Sequence, residues 1–146
     1  MNPDAPVGHV LQRQRYRLYL LGHGLIVVAV ILLFRLMAEK KIAAVIAGTL
    51  FLVGPWLVLY FELRARKFLR SFSSWGACIF LLFSALPIFS LRILNWNEPF
   101  ENLNLLGIPA EQLHKISNAI FLLMLAGFVF DSFFLNRKER AQSLQS

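Results

Sequence analysis

Residues 42–61, IAAVIAGTLFLVGPWLVLYF, run for twenty positions without a charged side chain. A helix rises about 1.5 Å per residue, so a stretch of this length crosses a hydrocarbon core about 30 Å thick. Its apolar residues stand consecutively. A barrel strand would instead alternate in polarity over about ten residues. Working outward, three further uncharged runs appear at 18–34, 71–91 and 116–130, with the charges gathered between them. The first is lengthened by Arg35, whose long stem lets its guanidinium reach an interface. The last continues past Asp131 to residue 135.

The pattern predicts an all-α integral membrane protein, a bundle of four transmembrane helices forming one domain over residues 1–146. The expected spans are 17–38, 41–62, 71–94 and 109–135, followed by a solvated tail at 136–146. With 58% hydrophobic residues in 146, the chain is too apolar for an ordinary soluble domain. Arg13, Arg15 and Arg17 before the first run resemble the start of a signal peptide. However, Arg35, Glu39, Lys40 and Lys41 stand where small residues would mark cleavage, so the run is read as a retained span. The single cysteine, Cys78, excludes an intrachain disulfide.

Lys and Arg concentrate on the cytoplasmic side of short connections. With the N-terminus inside, ten of the fifteen basic residues fall inside: Arg13, Arg15, Arg17, Arg64, Arg66, Lys67, Arg70, Arg137, Lys138 and Arg140. Arg35, Lys40, Lys41, Arg92 and Lys115 fall outside. Both termini are therefore expected in the cytoplasm, and the bias fits a bacterial inner membrane. Tyr16, Tyr19, Tyr60 and Trp75 near the inner face, with Trp96 at the outer one, fit aromatic belts at headgroup level. The net charge of +7 follows from this distribution and from attraction to anionic headgroups, so nucleic acid is not an expected partner.

The connection after the third span is the longest. Phe100, Leu103 and Leu106 recur every third residue among Glu98, Glu101 and Glu111, which predicts a short amphipathic helix over 97–107 lying on the outer leaflet. Asn97 is placed to cap it. Gly107 followed by Pro109 reads as its stop and the start of the fourth helix.

Candidate polar sites inside the membrane are Asp131, His23 and Asn118. Asp131 sits near the expected C-terminal end of its helix, where the dipole disfavours negative charge. It is read as interfacial and wetted from the cytoplasm, or as paired with a basic residue of another helix, Arg17, Arg64 or Arg66 being candidates. His23, between Gly22 and Gly24, reads as a packed or hydrogen-bonded core side chain. His114 belongs at the opposite face, too far away to share a haem iron with His23. Asn118, Ser117, Ser84 and Ser90 are positioned for interhelical hydrogen bonds of about 1 kcal/mol each.

Ala43, Ala44, Ala47 and Gly48 make overlapping small-xxx-small pairs, a face that lets two backbones approach closely. Pro55 and Pro87 remove backbone donors from the second and third helices and should kink them, displacing the carbonyls of Phe51 and Phe83. The chain carries no metal-ligand cluster, paired nucleophile and base, or glycine-rich phosphate loop, so neither a cofactor nor catalysis is expected. Four short helices also describe small multidrug exporters, but the first three uncharged runs lack the deep carboxylate that proton-coupled export requires. The sequence therefore points to a small inner-membrane protein serving as a non-catalytic accessory or interaction subunit, partnered by lipid and by another protein or its own copies. A small oligomeric transporter or pore, including a holin-like one, is the alternative.

Overall fold

A computed structural model of the chain describes the backbone of residues 5–65 and 71–143 and the side chains of 14–65 and 71–134. Four helices account for nearly all of it: α1 (Ala5–Leu36), α2 (Lys40–Arg64), α3 (Phe72–Leu94) and α4 (Ala110–Ser143). Within them the stretches Gln14–Leu36, Lys40–Arg64, Phe72–Leu94 and Ala110–Phe134 are each long and apolar enough to cross a membrane. This is the build of a multi-pass membrane protein. The segment expected as a tail continues α4 in backbone as far as Ser143.

α1 packs on α2 and α4, α2 on α3, and α3 on α4. The main core is formed by Tyr16, Tyr19, Val58, Ala77, Phe80, Ala85, Met124 and Phe128. Around it Phe51, Phe80 and Phe121 meet in pairs at 5.3–6.2 Å between ring centres. Tyr16 and Tyr19, expected at headgroup level, are buried in this core, while Tyr60 and Trp75 remain exposed. α3 and α4 approach closely at Gly76, where an added Cβ would come within 3.0 Å of the Met124 Cα.

The small-residue face of α2 turns inward. Ala43 and Ala47 are buried, Ala44 is half-buried, and a Cβ on Gly48 would meet the Phe89 ring of α3 at 2.5 Å. The two prolines are absorbed differently. Pro55 sits buried within a continuous α2. Before Pro87, residues Leu81–Ala85 of α3 form a π-helical segment, a wider turn in which the bonding step changes to i→i+5. There Ser84 bonds Ser117 of α4. The tight link from α1 to α2 is closed by Lys40, whose ammonium donates to the carbonyl of Phe34 and, at 2.9 Å, to that of Met37, at the end of α1.

The amphipathic helix expected over 97–107 does not form. Phe100–Asn102 make one 3-10 turn, and a minimal antiparallel hairpin follows, β1 (Asn104–Leu105) paired with β2 (Ile108–Pro109). Leu106 and Gly107 take φ of 52° and 83°, the left-handed pair that a two-residue hairpin loop requires. Glycine at the second position makes that loop accessible, and the loop interrupts the helical repeat. Leu103 is buried against Leu91, Ala110 and Leu113, whereas Leu106, its counterpart in the threefold pattern, is 96% exposed. Arg92 fastens the connection to α3, donating to the Glu98 carbonyl at 3.3 Å and lying 5.9 Å from the centre of the Phe100 ring.

Candidate functional site

Apart from Ser84, the buried polar residues among those described gather toward the end of the helices that carries Arg15, Arg17 and Arg64. Glu62, near the C-terminus of α2, is fully buried. Its phase explains this: Ala47, Pro55 and Val58 precede it on the inward face of α2 at spacings of fifteen, seven and four residues. The Tyr19 hydroxyl donates to Oε1 at 3.2 Å and the Tyr16 hydroxyl to Oε2 at 3.4 Å, while the Arg15 guanidinium stands 3.7 Å from Oε1. Tyr16 and Tyr19 stack edge to face at 5.9 Å. One turn and a half of α1 therefore supplies two phenol donors and a cation to a carboxylate of α2.

Asp131 is close enough to act electrostatically on Glu62, yet it is held in another way. Its carboxylate faces the N-terminus of α3. Oδ2 accepts from the Ser71 hydroxyl at 2.9 Å and from the Ser73 amide and hydroxyl at 2.8 and 2.5 Å; Oδ1 accepts from the Phe72 amide at 3.3 Å. These are first-turn donors that a helix cannot satisfy internally, and the helix dipole favours an anion there. Ser71 caps the same turn, accepting from the Ser74 amide at 3.3 Å.

Two expectations for Asp131 are corrected. It is 8% exposed, so it is not a wetted interfacial group, and among the described residues its hydrogen-bond partners are the start of α3 and not a basic side chain. Arg17 and Arg64 are exposed, and Arg66 lies outside the described residues. Because α4 continues to Ser143, Asp131 is also well inside its helix and not at the C-terminal dipole.

His23 lies in the core as expected, its ring 5.1 Å from that of Phe128, with Nδ1 2.7 Å from the Tyr19 carbonyl oxygen. Asn118 is exposed at the opposite end and makes no interhelical contact of the expected kind; the Ser84–Ser117 pair does. It lines an open groove of about 470 Å³ with Phe100, Glu101, Glu111, His114 and Lys115. Glu111 and Lys115 form an exposed ion pair there at 2.8 Å, and His114 meets Phe100 edge to face. His23 and His114 thus belong to separate regions. Among the described residues no three His, Cys, Asp or Glu side chains come together as a metal site.

Glu62 is the functional candidate that sequence reasoning missed. It ends the expected span 41–62 beside a run of basic residues, where hydropathy gives a carboxylate no role. The signal was its helical phase, together with two tyrosines three residues apart on the preceding helix. Comparison with family models, with curated proteins and with solved structures returned no match for this chain.

Proposed function

We propose that the chain is a small, non-catalytic accessory or interaction subunit of a membrane assembly, resident in a bacterial inner membrane with both termini in the cytoplasm. The carrying observation is the uneven docking of α1. Its described buried residues, Tyr16, Tyr19 and His23, all lie toward one end, whereas none of residues 24–36 is buried. Only 11% of its most apolar window is covered by the rest of the chain, against 22–28% for the other three spans. Leu25, Val28 and Leu32 of that half are spaced by three and four residues on one exposed stripe, the spacing with which a neighbouring helix interlocks. Small-residue packing is meanwhile used inside the chain at Gly48, so the outward half of α1 is the surface left for a partner or a second copy.

The test is gentle extraction at natural abundance, followed by size analysis and mass spectrometry, combined with photocrosslinkers at Val28 and Leu32. A stoichiometric partner crosslinked from these positions supports the reading. A monodisperse monomer with no adduct overturns it. The second reading, a small oligomeric transporter or pore, is favoured by Glu62, a carboxylate enclosed by the helices at the end of α2. It predicts solute or ion flux in reconstituted vesicles that falls on Glu62→Gln substitution.

A further inference from the structure

The geometry points to His23 as a proton-responsive clasp that holds α1 against α2 when neutral and releases it when charged. The Tyr19 carbonyl can only accept a hydrogen bond, so at 2.7 Å from it Nδ1 carries the ring hydrogen and Nε2 is left with a lone pair. Nε2 is buried in a residue only 3% exposed, and it has no partner among the described residues. It abuts α2 at Gly54, where an added Cβ would come within 3.1 Å of Nε2 and 2.8 Å of Ile26 Cδ1. Phe121 and Phe128 of α4 close the wall at 6.3 and 5.1 Å between ring centres.

A proton on Nε2 would create an N–H donor with no acceptor, and a cation with no free counter-ion, among the described residues. Among the described residues the charged and titratable groups facing this end are Arg15, Tyr16 and Tyr19 on α1, Glu62 on α2 and Asp131 on α4. Glu62 is taken by Tyr16, Tyr19 and Arg15, and Asp131 by Ser71, Phe72 and Ser73 at the start of α3. A buried charge without a partner is strongly unfavourable, so the imidazolium is stable only once the ring has left the wall. The α1 half beyond it has no buried residue to resist the movement. The device is intrinsic to the chain and needs no partner.

The test uses the full chain in lipid nanodiscs with Cys78→Ser, His9→Asn and His114→Asn, and spin labels at Leu32→Cys on α1 and Leu122→Cys on α4, both exposed positions. Lowering the pH from about 8 to about 5, across the range in which histidine titrates, should lengthen the distance between labels. His23→Gln should abolish the change. Gly54→Ala, which presses on the ring, should show the long distance already at about pH 8. A distance that is constant or shortens, or a change that survives His23→Gln, overturns the proposal. If His23→Gln fails to fold, ¹⁵N-histidine spectra of the parent decide: Nε2 should take its proton with the midpoint of the distance change, and an untitrated Nε2 overturns the clasp.

Discussion

Glu62 and Asp131 are buried carboxylates at the same end of one small protein, and their hydrogen-bond donors differ in kind. Each oxygen of Asp131 faces a backbone amide, Phe72 on Oδ1 and Ser73 on Oδ2. Glu62 faces the hydroxyls of Tyr16 and Tyr19. An amide N–H only donates, whereas a phenol can rotate and accept. The α3–α4 contact is therefore built for an anion and nothing else. The α1–α2 contact can adapt to a neutral group of the same shape.

That contrast breaks most visibly at Asp131→Ala. It strands two amides and two serine hydroxyls in the interior and should cost about 3–5 kcal/mol, measured as unfolding free energy in mixed micelles. Asp131→Asn should recover little, remaining about 2–3 kcal/mol below the parent, because its NH₂ must oppose one of the two amides whichever way it turns. Glu62→Ala should cost about 2 kcal/mol, since the phenols lose a charged acceptor but the cation left behind, Arg15, reaches solvent. Glu62→Gln should fall within about 1 kcal/mol of the parent, one tyrosine reversing its hydroxyl to accept from the new amide. Equal losses for Asp131→Asn and Glu62→Gln would remove the distinction. Smallest of all, Arg15→Gln should change stability by less than about 1 kcal/mol, because the guanidinium is partly exposed at 3.7 Å and Glu62 keeps both phenol donors without it.

The four spans were legible because apolar length is a property of composition, and in lipid the backbone has few alternatives to a helix. The polar interior was less legible for two reasons. Glu62 follows directly on a long apolar run and precedes basic residues, so hydropathy marks it only as the end of a span; helical phase relative to Val58 and Pro55 is what turns it inside. Asp131 offered no partner within its own helix. Its donors come from a helix start some sixty residues earlier in the chain, a relation no local pattern encodes. In the third connection, periodicity misled because three apolar residues at equal spacing fit a helix as well as a 3-10 turn and hairpin. The decisive residue was Gly107, read as a helix stop although its φ of 83° completes a two-residue turn.

The π-helical segment of α3 carries one last consequence. A π turn is equivalent to about one residue inserted into an α-helix, and an insertion rotates everything beyond it by about 100°. Gly76 on one side and Phe89 on the other therefore reach their neighbours in α4 and α2 only because residues 81–85 absorb that offset. The segment is the geometric equivalent of a one-residue length change. It is the one place in α3 where losing a residue would leave both flanking faces aimed as they are now, while a deletion elsewhere in the helix would turn one face away from its partner.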